Sequence, residues 1–124
     1  MAVNGSCHCG AVTIEARQAP EWLGSCNCSI CTRLGTLMAY YPDDGPENGG
    51  VKVSGETAAY LWGDRMIALH HCPTCGCATH WDSLGEKFGK MGVNARLLDG
   101  FALVEGEPRI DGKAVEVRFL DNAG

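Results

Sequence analysis

The chain has 124 residues, a formal net charge of −5 and eight cysteines. This length predicts a single domain over residues 1–124, and an acidic chain without a basic stripe is not expected to bind nucleic acid. No apolar run is long enough to cross a membrane, and the first residues lack the pattern of a signal peptide. We therefore expect no membrane partner and a cytoplasmic location, where thiols stay reduced.

The predicted elements are mainly short β-strands. Residues 11–16 alternate, with Val12, Ile14 and Ala16 on one face, which is typical of a half-buried strand. Further strands are predicted at 36–41, 51–53, 57–62, 66–70, 78–81, 91–98 and 115–119, with a loop at 42–50 and a turn at Gly63 and Asp64. One short helix is predicted at 29–34. Many short strands separated by Gly and Pro favour a mainly β fold of two packed antiparallel sheets.

Seven of the eight cysteines form three clusters, which are Cys7 with Cys9, Cys26 with Cys28 and Cys31, and Cys72 with Cys75. Clustered thiols in a reducing compartment indicate metal binding, because tetrahedral zinc accepts up to four thiolates and the C-x-x-C spacing lets neighbours share one ion. Disulfides are the alternative, but cysteines separated by one residue are too close for a relaxed bridge. The pattern predicts two zinc ions.

The first and last clusters together predict a structural zinc site. Cys7 and Cys9 precede the first predicted strand, and Cys72 and Cys75 form a knuckle that ends at Gly76. Four thiolates fill the tetrahedral coordination of zinc. A metal ion that joins these distant pairs would couple its binding directly to folding.

The middle cluster supplies three thiolates and leaves one tetrahedral position open, as in catalytic zinc sites. Three thiolates leave the centre formally negative, so it ionises water poorly, whereas a substrate thiol suits a borderline-soft ion. Cys26, Cys28 and Cys31 are therefore candidate catalytic residues for chemistry on sulfur. His80 is a candidate acid or base, although a structural role is more common for such a histidine.

Cys77 leaves other interpretations open. As a fourth ligand it would close the middle cluster and make the protein a non-catalytic, zinc-stabilised binding module with both sites structural. A buried free thiol is the more common state of a cysteine beside a core, and we favour it here. A third hypothesis is a redox or metal sensor whose three-thiolate site releases zinc on oxidation.

Four motifs resemble a known family in their order and spacing. They are Gly5-Ser-Cys-His-Cys-Gly10, Ser25-Cys-Asn-Cys-Ser-Ile-Cys-Thr-Arg-Leu-Gly35, His71-Cys-Pro-Thr-Cys-Gly76 and Val93-Asn94-x-Arg96-x-Leu98-Asp99. This pattern resembles the glutathione-dependent formaldehyde-activating family, which also includes centromere protein V. The resemblance implies a β-tent fold with two zinc ions. It assigns the structural zinc to Cys7, Cys9, Cys72 and Cys75, and the second zinc to Cys26, Cys28 and Cys31.

The resemblance also implies an activity and a co-substrate. In the family's founding activity, glutathione adds to formaldehyde to give S-hydroxymethylglutathione, with the glutathione thiol at the second zinc. We therefore expect a carbon–sulfur lyase that acts on a small-molecule thiol–aldehyde adduct. Arg33 and Arg96 are candidates by position for binding the glutathione carboxylates. His71 and Cys77 depart from the family pattern, and the residues after Asp99 match no motif.

Overall fold

A computed structural model describes residues 2–63, 65–84 and 89–122, which form three β-sheets and one short α-helix. The helix α1 is Ser29–Leu34, and 3-10 turns lie at Pro46–Asn48 and Ala95–Leu97. The strands are β1 Val3–Ser6, β2 Thr13–Ala16, β3 Trp22–Cys26, β4 Met38–Pro42, β5 Val51–Ser54, β6 Ala58–Tyr60, β7 Ile67–His71, β8 Ala78–Ser83, β9 Lys90–Asn94, β10 Phe101–Val104, β11 Glu107–Ile110, β12 Lys113–Ala114 and β13 Glu116–Leu120.

The largest sheet determines where the candidate functional side chains lie. It has seven strands in the order β13-β3-β4-β9-β8-β7-β6, in which β13 runs parallel to β3 and the other pairs are antiparallel. Two three-stranded sheets, β1-β2-β5 and β10-β11-β12, accompany it. The prediction of a mainly β fold is confirmed, and α1 lies where a helix was predicted.

The prediction of two sheets is wrong, because the β10–β12 meander forms a third sheet in the part of the chain that the structure describes. Its two turns contain Glu105-Gly106 and Asp111-Gly112, and all four residues have positive φ angles between 51° and 82°. Paired left-handed residues are typical of tight hairpins, and Asp-Gly is a strong sequence signal for them. The Asp111-Gly112 pair is therefore the sequence feature from which a hairpin of this third sheet could have been predicted.

The predicted strand at 91–98 ends early. β9 stops at Asn94, whose side-chain oxygen accepts a hydrogen bond from the backbone N–H of Arg96 and so caps a 3-10 turn. A local hydrogen bond of this kind competes with the backbone hydrogen bonds that would continue the strand. Arg96 therefore lies in this turn and not in β9. Of the predicted turn at Gly63 and Asp64, Asp64 lies outside the described residues.

The main core lies between the β1-β2-β5 sheet and one face of the large sheet. Val12 and Ile14 are fully buried and Ala16 is 4% exposed, which confirms the predicted alternation along β2. The core cluster includes Val3, Ile14, Ala16 and Val51 from the small sheet and Leu23, Ala39, Tyr41, Met91 and Val93 from the large one. Within the described ranges, no helix is long and apolar enough to span a membrane.

Candidate metal centres

Four cysteines from two distant turns converge on one point. Cys7 and Cys9 lie between β1 and β2, and Cys72 and Cys75 lie between β7 and β8. Their sulfurs lie within 4.8 Å of one another, with Cys9 Sγ 3.7 Å from Cys7 Sγ and 3.6 Å from Cys72 Sγ. A tetrahedron of thiolates at about 2.3 Å from zinc has edges of about 3.8 Å. The donor set therefore fits a closed, four-thiolate zinc site.

Tight turns hold both cysteine pairs in place. Gly10 and Gly76 adopt left-handed backbone conformations, with φ angles of 82° and 81°, that let each turn fold back over its cysteines. The backbone N–H of Val12 donates to Cys7 Sγ at 3.3 Å. Such hydrogen bonds favour a thiolate over a thiol, so the turns orient the sulfurs and also support the charge that a metal ligand needs.

Cys26, Cys28 and Cys31 form a second group of sulfurs, which we call the triad. Cys26 ends β3, Cys28 is the N-cap of α1 and Cys31 lies in its first turn, so one short segment brings the three sulfurs within 4.8 Å of one another. This donor set fits zinc with three protein ligands. Among the described residues, no fourth cysteine, histidine or carboxylate joins the group.

The triad does not ionise evenly. The pKa of Cys28 is lowered overall. Burial raises this pKa, but hydrogen bonds from the backbone N–H groups of Cys31 and Ile30 and from the thiols of Cys31 and Cys26 lower it further than burial raises it. Burial and the neighbouring sulfurs raise the pKa of Cys31. One thiol therefore ionises first, and its negative charge opposes ionisation of the next. A bound cation is what allows all three to become thiolates.

A groove of about 1110 Å³ opens beside the triad, and its lining includes Cys26, Cys31 and residues of β11, β12 and β13. Small-molecule sites in proteins commonly have about 300–1,000 Å³. Thr36 lines the groove at 7% exposure, and its hydroxyl has no hydrogen-bond partner among the described residues. Arg96 also lines this groove, whereas Arg33 lines a separate, smaller depression. Of the two predicted arginines, Arg96 is the one that lines the groove beside the triad.

Tyr40 is a residue near the triad that the sequence analysis missed. Its ring packs over Gly24, where an added Cβ would lie 2.6 Å from the phenolic oxygen. Burial, and then the charges of Cys26, Cys31 and Cys28, raise the pKa of Tyr40 to about 12. The phenol therefore keeps its proton at neutral pH and lies within electrostatic reach of all three sulfurs. An aromatic residue in a strand usually indicates core, so the sequence carried no signal for this position.

His80 lies on the wrong face of the sheet to act at the triad. Ala39 pairs with Val93, which pairs with His80, so all three share the core face. Gly24 pairs with Met38, the residue before Ala39, and strand alternation places Cys26 with Gly24 on the opposite face. Burial, and then the charge of His70, lower the pKa of His80 to about 4. The structure therefore removes His80 as the acid or base for the triad.

Cys77 packs beside the four-cysteine site and not beside the triad. Its half-buried side chain contacts the cluster of Cys7, Val12 and Cys72, and its carbonyl accepts a 2.9 Å hydrogen bond from the backbone N–H of Cys72. Its sulfur does not belong to either converging group of sulfurs in the described part of the chain. The binding-module interpretation requires Cys77 as a fourth ligand at the triad, and Cys77 does not lie there.

The C-terminal residues hold the loop that carries the triad. Asn27, between two triad cysteines, donates to Asp121 Oδ1 at 3.0 Å and accepts a 2.6 Å hydrogen bond from the backbone N–H of Asn122. Asn122 Nδ2 also donates to Cys26 Sγ at 3.1 Å. Asn122 and Cys26 are 96 positions apart, so no local pattern could indicate this contact.

Asn122→Ala is expected to weaken zinc binding at the triad by about 10–100-fold, because groups that hydrogen-bond to metal ligands orient them and tune their charge. Competition with a chelator measures the affinity of the second zinc. Asn48→Ala is the matched control, since Asn48 is also exposed and donates to the carbonyl of Asp44 in the loop after β4. Equal affinities in the wild type and in Asn122→Ala would contradict a role for this contact.

Comparisons with known proteins agree with this geometry. A family model of glutathione-dependent formaldehyde-activating enzymes matches residues 2–111, which include both cysteine groups. The fold is similar to the crystal structure of a Rhodobacter sphaeroides protein from structural genomics, with a TM-score of 0.68 and 29% sequence identity over 93% of this chain and 99% of that chain. No curated protein is significantly similar in sequence. The chain therefore belongs to the glutathione-dependent formaldehyde-activating enzyme family.

Proposed function

We propose that the protein is a zinc-dependent carbon–sulfur lyase that acts on the adduct of a small thiol and an aldehyde, glutathione with formaldehyde or a related pair. The supporting observation is a group of three sulfurs, without a fourth protein ligand among the described residues, at the wall of a large groove. In this proposal Cys26, Cys28 and Cys31 hold the catalytic zinc. A structural zinc is held by Cys7, Cys9, Cys72 and Cys75, within one domain over residues 1–124.

The donor set favours chemistry on sulfur. Three thiolates more than neutralise a divalent ion, which disfavours ionisation of water at the centre. A zinc ion held by Cys26, Cys28 and Cys31 would supply a borderline-soft cation that suits a substrate thiolate and lowers the pKa of its thiol. A water-activating hydrolase would need a more positive centre, so the residues present favour thiol transfer over hydrolysis.

The reaction forms one bond and moves one proton. In the synthetic direction, the thiol sulfur bonds to the aldehyde carbon, the C=O π bond opens, and the proton lost by the thiol ends on the new hydroxyl oxygen. The lyase direction reverses each change. Holding the sulfur and the carbonyl carbon in contact can lower the barrier of such a step by roughly 7–11 kcal/mol. In this proposal the groove holds the two reactants in that position.

Two groove residues match the polar groups of a substrate such as glutathione. The guanidinium of Arg96 is the cation suited to a carboxylate, and it lies 5.7 Å from the ring centre of Phe101, which limits its freedom. The hydroxyl of Thr36 is buried and has no hydrogen-bond partner in the described part of the chain. Such a group costs about 1–3 kcal/mol, which a hydrogen bond from a ligand would recover.

Tyr40→Phe is expected to lower kcat about 100-fold with unchanged zinc content, because a positioned proton donor contributes typically about 10²–10⁴-fold. Tyr40 keeps its proton at neutral pH within electrostatic reach of the sulfurs, so we assign it as the donor to the new hydroxyl oxygen, and the proton released by the thiol then restores the phenol. Tyr41→Phe is the matched control: Tyr41 is the next residue, and its hydroxyl donates to the carbonyl of Gln18. An equal kcat in the two variants would contradict this assignment.

Exchange NMR on mixtures of glutathione and formaldehyde tests the proposed function. The zinc-loaded protein is expected to accelerate interconversion of the thiol and its hydroxymethyl adduct above the spontaneous rate. A panel of other small thiols and aldehydes identifies the preferred pair. If no pair is accelerated by protein that carries zinc at the triad, the lyase proposal is wrong.

A further inference from the structure

A third cluster of potential metal ligands lies on β7 and β8, apart from both cysteine groups. His70 and His80 face each other as Cα partners, and their rings stack with centroids 4.2 Å apart and planes 4° apart. Asp82 follows on the same face of β8. Its Oδ1 is 2.8 Å from His70 Nε2, and its Oδ2 is 4.0 Å from His80 Nε2. Both Nε2 atoms therefore face one carboxylate.

The hydrogen bonds of Thr79 determine which nitrogen of His80 carries the proton. The Thr79 hydroxyl donates its single hydrogen to the carbonyl of His70 at 3.3 Å. At 2.9 Å from His80 Nδ1, the same oxygen can then only accept, so the Nδ1 of His80 is the protonated nitrogen. His80 Nε2 consequently presents a lone pair towards Asp82. A lone pair and a carboxylate that face each other across 4.0 Å are suited to a shared cation.

His70 has a matching hydroxyl partner. His70 Nε2 donates to Asp82 Oδ1 at 2.8 Å, because a carboxylate oxygen can only accept. Thr57 Oγ1 lies 2.9 Å from His70 Nδ1, so when a cation takes the place of the Nε2 proton, the ring proton moves to Nδ1 and is donated to this hydroxyl. Metal-bound histidines typically donate their second ring N–H to such a partner, which fixes the ring and its tautomer. Each imidazole of the cluster thus has a hydroxyl group at Nδ1 and its Nε2 directed at Asp82.

The cluster is buried at one end and open at the other. The side chains of His80, His70 and Asp82 are 7%, 18% and 44% exposed, so an ion can enter from the side of the carboxylate.

We propose that His70, His80 and Asp82 form a third metal site, which binds a divalent first-row cation such as Zn²⁺ through two imidazole nitrogens and one carboxylate. Such N and O donors suit zinc, nickel, cobalt or iron(II) and differ from the thiolates of the other two sites. With ligand bonds of about 2.0–2.2 Å, the ligand atoms of a tetrahedral zinc site lie about 3.4 Å apart, so binding draws His80 Nε2 and Asp82 Oδ2 together from their separation of 4.0 Å. Three protein ligands leave coordination positions for water or a ligand.

Zinc titration of the purified protein, with both cysteine groups already loaded, tests this proposal. Isothermal titration gives the stoichiometry, and long-range ¹H–¹⁵N NMR of the histidine rings reports which nitrogens bind. We expect one further zinc equivalent, with a shift of the Nε2 resonances of His70 and His80. Asp82→Asn should weaken this binding at least about 10-fold. Asp82 is 44% exposed, so this variant is expected to keep the fold.

His71→Gln is the matched control, because His71 follows His70 on β7 but does not belong to the cluster. It should bind the third equivalent as the wild type does. The proposal is overturned if no third equivalent binds, if it binds equally to Asp82→Asn, or if His70 and His80 show Nε2 resonances that do not respond to zinc. A third equivalent lost in His71→Gln and kept in Asp82→Asn would place the ion elsewhere.

Discussion

Cys72→Ser is expected to leave the chain largely unfolded. Cys72 is fully buried, and its sulfur lies 3.6 Å from that of Cys9, a residue 63 positions away, so the site closes a long loop. Zinc binding to structural sites of this kind is worth about 10–16 kcal/mol. The whole stability of a typical domain is only about 5–15 kcal/mol. Loss of one of four thiolates therefore removes an interaction as large as the net stability of the fold.

Circular dichroism and zinc analysis of the purified variant measure this effect. Cys77→Ser is the matched control, since Cys77 packs against the same cluster without joining the four converging sulfurs. It should keep the fold and the wild-type zinc content. A folded Cys72→Ser protein with a wild-type melting temperature would show that the four-cysteine site does not hold the fold together.

Cys28→Ser is expected to keep the fold, lose the second zinc and lose the lyase activity. The triad belongs to one segment at the end of β3 and the start of α1, and its sulfurs are only half-buried, so the core does not depend on them. If zinc at the triad holds the substrate sulfur as proposed, its loss removes a positioning contribution of roughly 7–11 kcal/mol. The rate should fall by about 10⁵-fold or more, to that of the spontaneous reaction.

Exchange NMR with glutathione and formaldehyde measures the loss, and the melting temperature shows that the fold is kept. Ser29→Ala changes the exposed residue next to Cys28 and should retain full activity, which makes it the matched control. Wild-type activity in a Cys28→Ser protein without the second zinc would remove the triad from the mechanism.

Local spacing made the triad predictable. Cys26, Cys28 and Cys31 lie within six residues, and a β-strand followed by a helical turn brings them together without help from the rest of the chain. Which four cysteines form the other group could also be predicted, because two pairs of thiolates together fill the tetrahedral coordination of one zinc ion. The alternation in β2 likewise predicted its buried face.

The sequence patterns could not predict contacts between residues that lie far apart in the chain. β13 pairs in parallel with β3 across more than ninety positions, and Phe119 within it is 85% exposed, so its apolar residues do not mark a buried face. Arg118 stabilises the pair by lying 4.4 Å from the ring centre of Trp22. Asn122 reaches Cys26 only because of this pairing. Tyr40 and His80 lie on opposite faces of the sheet, and this placement also depended on a register that no single strand encodes.

Native mass spectrometry with glutathione titrated into the wild-type protein and Cys28→Ser tests the central claim, that the triad is an open zinc site for a substrate thiol. We expect two tightly bound zinc ions and one glutathione adduct in the wild type, and the loss of one zinc together with the adduct in Cys28→Ser. An adduct that persists in Cys28→Ser would place thiol binding elsewhere. Full zinc occupancy with no adduct for any small thiol would contradict an open thiol-binding site.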